Sequence, residues 1–223
     1  MLYQKSKRVR LKSRLVISLI SLYKNKSLSE FHKKTNFPQK FRTKETADLF
    51  MALIIRLLKD GGRAAVVLPD GTLFGEGVKT RLKEELLTRC SLHTIVRLPN
   101  GVFNPYTSIK TNLLFFEKGT PTKEVWYYEH PYPKGYKSYN KSKPITLKEF
   151  DAEKKWWSKR KESKQAWKVS IEEIKNRNYN LDIKNPYEEV EHLDTPDVIL
   201  EKLKSSETKI GSIQEKIISL KIR

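Results

Sequence analysis

Acidic residues are scarce in this sequence. Asp and Glu number 26 against 45 Lys and Arg, for a formal net charge of +19. That imbalance selects no fold, but it predicts attraction to a polyanion through phosphate contacts and counterion release. Nucleic acid is the first candidate and an anionic membrane surface the second. Cysteine is nearly absent too. With Cys90 alone, an internal disulfide is excluded, which fits a reducing cytoplasm. His32, His93, His130 and His192 have no metal-ligand spacing, so no zinc site is expected. No apolar run approaches the roughly 20 residues that a membrane span needs. A Gly-x-Ser-x-Gly elbow, a P-loop and an HExxH helix are all missing.

Residues 1–34 hold ten Lys/Arg and one acid, Glu30. The stretch KSKRVRLKSRLVISLISLY has the basic start and short apolar run of a signal peptide. No small-residue cleavage site follows, only Lys24 and Lys26. A basic nucleic-acid-binding arm is another reading. The simplest expectation is a disordered leader over 1–35, outside the folded unit.

Order begins at Thr43. ETADLFMALIIRLLK is apolar on nearly all sides and predicts a buried helix. Thr43 is the candidate cap, and Gly61-Gly62 the stop. RAAVVLP is a continuously apolar run, as for a strand covered on both faces. In GVKTRLKEELL, Val78, Leu82 and Leu86 recur four apart on one helical face. SLHTIVRLP is a second strand and TNLLFFEK a third. The first two are joined by a helix and should run parallel. The third follows after a loop too short for a crossover and should be antiparallel.

Residues 121–187 are rich in aromatics and lysine, with Pro121, Pro131, Pro133 and Pro144 interrupting. Loops, short strands and one helix near Ser170–Arg177 are expected. The aromatics, Trp156 and Trp157 among them, either cover a small core extension or stack on bases of a single strand. The last segment opens with Thr-Pro-Asp, a cap followed by Pro at the first helical position. Positions 199, 203, 206, 210, 213, 217 and 220 then step alternately by four and three. All are Ile or Leu except Ser206, which gives an a/d seam over about three heptads. Leu203, Ile210, Ile213, Ile217 and Leu220 are the candidate partner-binding residues.

Gly75-Glu76-Gly77 opens a helix after a strand, but Thr80 stands where a third Gly of a cofactor loop would be. A tight turn is the simpler reading. Glu84-Glu85 and Glu172-Glu173 are adjacent on helices, so each pair reads as a solvated face. Asn104-Pro105-Tyr106 mimics the Asn-Pro-Pro-aromatic site that holds an exocyclic amino group of a flipped base. It has one proline, and it precedes a strand where the true motif ends one. It therefore reads as a lookalike in a loop that can line a site.

Three blocks carry a family resemblance: NFPQKFRTKETADLFMALIIRLLKDGGRAAVVLPDGTLFGEGVKTRLKEELL, LPNGVFNPYTSIKTNLLFFEKG and AWKVSIEEIKNRNYNLDIKNPY. From about Asn36 to Tyr187 the chain resembles the methylation subunit (HsdM) of type I restriction–modification systems. The resemblance implies a DNA adenine-N6 methyltransferase using S-adenosylmethionine. It implies a Rossmann-like α/β sheet whose final strand is antiparallel, here incomplete and holding the last three strands, followed by an irregular and helical C-terminal region. It divides the chain into a leader (1–35), the back half of a catalytic domain (36–120), an aromatic and basic extension (121–187) and a terminal helix (188–223). Implied partners are DNA, a specificity subunit and a second methylation subunit, with the restriction subunit a further candidate. The family's Gly-rich cofactor loop and its Asn-Pro-Pro-Phe tetrapeptide precede the matched blocks, and this sequence holds neither. No catalytic and no cofactor-binding residue is therefore assigned, and the leader reads as a shifted frame or an unrelated start. By the match, Phe103 would face the extruded base, and Asp70 would lie near the mouth of the site. RAAVVLP would lack neighbours on one side, leaving an apolar edge prone to aggregation. The expected function is a methyltransferase fragment inactive alone. The alternative is a non-catalytic module binding a specificity subunit or DNA.

Overall fold

The computed structural model describes residues 14–18, 38–41, 43–188 and 196–221. The chain divides into two units, 1–187 and 188–223. The first is an α/β unit built on a six-stranded sheet. Its strands are β1 (Arg14–Ser18), β2 (Arg63–Pro69), β3 (Cys90–Arg97), β4 (Thr111–Lys118), β5 (Glu124–Glu129) and β6 (Ala166–Ser170), in the spatial order β1-β2-β4-β3-β5-β6. β4 pairs antiparallel with both β2 and β3. β2 and β3 thus run the same way, as expected of a strand–helix–strand unit, but β4 separates them. β5 is parallel to β3, and β6 antiparallel to β5.

β1 differs from expectation. It comes from the basic leader, yet it pairs in parallel with β2 over Arg14–Ser18. β2 is consequently bonded on both sides, and the bare apolar edge predicted there does not exist. The physical reason is backbone demand: the open edge of β2 takes up a short β-prone run, RLVIS.

Alternation along the strands builds two cores. One face carries Val66, Ile95, Leu114, Phe116, Tyr127 and Trp167. It is covered by α1 (Thr46–Leu57), α3 (Val78–Arg89) and α5 (Ile171–Asn176), with α2 (Gly71–Phe74) lying between β2 and α3. Tyr127 and Trp167 stack with centroids 5.3 Å apart. The other face carries Val96, Leu113, Phe115, Tyr128 and Ala166, with Phe150 and Trp156 packed on it. Trp156 belongs to α4 (Asp151–Ser158), a helix not anticipated from sequence. Its indole N–H donates to the Lys161 carbonyl at 2.9 Å, and Trp157 meets Phe115 edge to face. These rings cover the core, which is the first of the two readings.

Caps show where local rules held. Ser170 caps α5, its hydroxyl accepting from the Glu173 amide at 3.2 Å. Thr43 does not cap α1. Its hydroxyl accepts from the Glu45 amide at 3.1 Å, and Glu45 occupies the cap position. Gly77 has φ +68°, a backbone conformation that favours glycine in the turn before α3. Among its described residues the second unit holds one helix, α6 (Pro196–Lys221).

Candidate functional site

The carboxyl ends of β2, β3 and β5 and the start of β4 lie at one edge of the sheet. This is the edge where open α/β folds hold ligands. The backbone brings four segments there: 69–75, 98–112, 130–146 and 181–185.

Asp70 follows β2 and begins α2. Its amide donates to the Lys110 carbonyl at 2.9 Å, and its Oδ1 accepts from Asn112 Nδ2 at 2.9 Å. The Arg97 guanidinium lies 3.7 Å from the same oxygen. Arg97 also donates to Asp182 Oδ1 at 2.7 Å and to the Ile183 carbonyl at 2.9 Å. One largely buried cation therefore ties the ends of three segments together. Asp70 was anticipated from sequence. Arg97, Asn112 and Asp182 were not.

Lys83, on α3, is buried, and its ammonium donates to the carbonyls of Leu73 and Gly75 at 2.6 and 2.9 Å. It thus satisfies the carboxyl end of α2, the turn that carries Asp70. Burial pushes its pKa down to about 8.

Phe103 sits in the turn between β3 and β4 and is half-buried. Its carbonyl accepts from the amides of Tyr106 and Thr107 at 2.9 and 3.2 Å. It shares the edge with Asp70. Among the described residues no hydrogen bond or ring contact joins the two. Asn104-Pro105-Tyr106 is part of the same turn. Asn104 donates to the Tyr139 carbonyl at 3.1 Å and is therefore committed to holding the loop. Gly101, at φ +77°, passes so close that an added Cβ would lie 2.7 Å from the Tyr139 carbonyl oxygen.

Segment 130–150 straps this loop down. Tyr132 donates its hydroxyl to the Asn100 carbonyl at 3.0 Å. Tyr139 is fully buried, and its hydroxyl bonds to the Glu149 carboxylate. Burial, then Glu149, raise the Tyr139 pKa well above the usual phenol range. Burial pulls the Glu149 carboxyl upward, but hydrogen bonds from Tyr139 and Thr146 outweigh it and hold the group below the carboxylate range. His130 and Glu153 form a buried pair at the root of the strap. His130 Nε2 and Glu153 Oε2 have no partner among the described residues.

The remaining candidates are placed as follows. Glu84, Glu172 and Glu173 are exposed, as solvated faces. No cluster of His, Cys, Asp or Glu suited to a metal exists among the described residues. Leu203, Ile210 and Ile213 lie on α6 and are exposed. The side chains of Ile217 and Leu220 lie outside the described residues, although their backbone is helical. No helix is long and apolar enough to cross a membrane among the described residues.

Three comparisons bear on what this edge is. The sequence profile of the N-6 DNA Methylase family matches residues 20–195. The Escherichia coli type I restriction enzyme EcoEI methylase subunit is 58% identical over 189 residues, covering 82% of this chain and 39% of that protein. A modification subunit of a putative type I restriction enzyme from Vibrio vulnificus superposes with a TM-score of 0.65 at 50% identity. That match covers 68% of this chain and 34% of the other. A chain from a type I restriction–modification complex also superposes at TM-score 0.65, with 39% identity, 83% of this chain and 41% of the other covered. The chain thus spans 34–41% of the length of these three relatives, in a Rossmann-like methyltransferase fold. On the profile match and these identities, the chain belongs to the N-6 DNA methylase family, among type I restriction–modification methylase subunits.

Proposed function

We propose that this chain is the back part of a type I methylation subunit's catalytic domain, and that it does not transfer a methyl group unaided. Intact relatives move the methyl of S-adenosylmethionine to adenine N6 in DNA. One observation carries the reading: 58% identity over 189 residues that make up only 39% of the relative. Phe103 is then the ring turned toward the target base, and Asp70 a wall of the mouth.

No cofactor-binding residue is assigned among the described residues. Asp70 Oδ1 accepts from Asn112 and lies 3.7 Å from the Arg97 guanidinium. The 223 residues contain neither an F-x-G-x-G loop nor an Asn-Pro-Pro-aromatic tetrapeptide. Positioning is what this reaction asks of the protein, so no methyl-transfer step can be routed through these residues alone. Isothermal titration of the purified chain with S-adenosylmethionine should show no micromolar binding. Saturable micromolar binding would overturn the reading.

A second reading is a non-catalytic module that docks on a specificity subunit or on DNA. The exposed seam of α6 favours it, with Ile199, Leu203, Ile210 and Ile213 each 45–56% exposed. A second methylation subunit and the restriction subunit are further partners on this reading, in the cytoplasm.

A further inference from the structure

We propose that the strap 130–148 is a grip for the backbone phosphates of duplex DNA, built beside the loop that carries Phe103. The proposal rests on the reading of this edge as the one turned toward DNA. It adds the surface that holds the duplex there.

The charge is one-sided. Residues 130–148 contain Lys134, Lys137, Lys141, Lys143 and Lys148 and no acid, and the facing loop 98–110 adds Lys110 and no acid. All six lysines are exposed, and none is in an ion pair among the described residues. Lys154 and Lys168 have carboxylate partners, whereas Lys123, Lys155, Lys159 and Lys161 are exposed and in no ion pair among the described residues, so it is the clustering without acids that sets 130–148 apart. Six unneutralised ammonium groups on two adjacent loops complement a polyphosphate and leave self-repulsion unrelieved without one.

The strap is also shaped and held. Asn140 closes a tight turn by accepting from the amides of Ser142 and Lys143 at 3.0 and 2.9 Å. Lys143 lies over the Tyr136 ring at 5.2 Å, and Tyr136 packs on Tyr139. Tyr139 then receives Asn104, and Tyr132 reaches Asn100. The lysines and Phe103 therefore stand on one hydrogen-bonded assembly. Phosphate contacts would set the register of the duplex, and the Phe103 loop would meet whatever base lies at that register.

The test is fluorescence anisotropy of a labelled duplex with the purified chain, titrated from 50 to 200 mM salt. In the strap variant, Lys134, Lys137, Lys141 and Lys143 are changed to Gln. In the control, Lys123, Lys155, Lys159 and Lys161 are changed to Gln, removing the same charge elsewhere. The strap variant should bind at least about tenfold more weakly at 100 mM salt. Its slope of log affinity against log salt should fall by roughly 0.9 per lost phosphate contact. The control should change less than about threefold. Equal losses in both variants, no loss in the strap variant, or no duplex binding by the parent chain would overturn the proposal. If the strap variant melts below the parent, the single changes Lys137→Glu and Lys141→Glu repeat the comparison. Phe103→Ala, on a duplex with an extrahelical adenine, separates the two readings. Loss of preference for that adenine supports the base-facing role. Unchanged preference, with the strap effect intact, removes that role and leaves the grip standing.

Discussion

His93 shows how a single side chain can acquire a pH dependence from its neighbours. Burial, then the Arg160 guanidinium, lower its pKa to about 4. Arg160 donates to His93 Nδ1 at 3.2 Å and to the His93 carbonyl at 3.3 Å, so the ring serves as a neutral acceptor. The unfolded chain, with an ordinary histidine, binds the extra proton first as the pH falls. Stability tied to His93 is therefore present above about pH 6.5 and lost as the pH falls toward 4. Its size is on the order of 3 kcal/mol. Chemical denaturation across pH 4–7 should show a shallower acid loss in His93→Gln than in the parent, and parallel curves would refute the assignment. Nothing in HTIVRLP marks His93 or Arg97 in this way. Arg160 and Asp182 are remote in sequence, and only folding brings them near. Asp70 was named only through the family resemblance, which places it near the mouth of the site.

Among the elements, the direction of β4 was legible from the connection before it. The stretch between SLHTIVRLP and TNLLFFEK carries no helical pattern that could make a parallel crossover, and residues 98–110 form turns without a helix. β1 was not legible. Its residues are embedded in a cationic stretch, and its pairing depends on an edge that exists only once β2 is in the sheet. Placing proline at both Val16 and Ile17 removes whichever amide donates to β2. The expected loss is about 1–2 kcal/mol, with faster hydrogen exchange at the β2 amides. An unchanged melt and unchanged exchange would show that β1 adds nothing to the sheet. α6 makes the opposite case, since its heptad seam is plain in the sequence and its exposed side chains remain unmatched within the helix. Leu203→Lys, Ile210→Lys and Ile213→Lys together should abolish pull-down of a specificity subunit if the seam is a docking stripe. Capture of that subunit equally well by the triple variant would remove α6 as the contact.

At the scale of the whole molecule, the +19 charge works against compactness. Raising salt from about 50 to 500 mM should raise the melting temperature by several degrees through screening. An equal osmolality of sucrose serves as the control, and a melting temperature that did not respond to salt would mean the charges are already locally paired. Composition alone set the +19 charge, from which attraction to a polyanion is expected, and excluded an internal disulfide, because both depend on totals. Local apolar pattern marked α1, α3, β2, β3 and β4: α3 by apolar residues four apart, α1 and β2 by apolar runs without a polar face. Tertiary structure alone decided that β4 lies between β2 and β3, and that β5 and β6 extend the same sheet. It alone also strapped the Phe103 loop down through Tyr132 and Tyr139. Each of those features joins backbone or side-chain groups remote in sequence. Pairing of that kind is selected by the need to satisfy buried polar groups in the assembled fold, which no local stretch of sequence encodes.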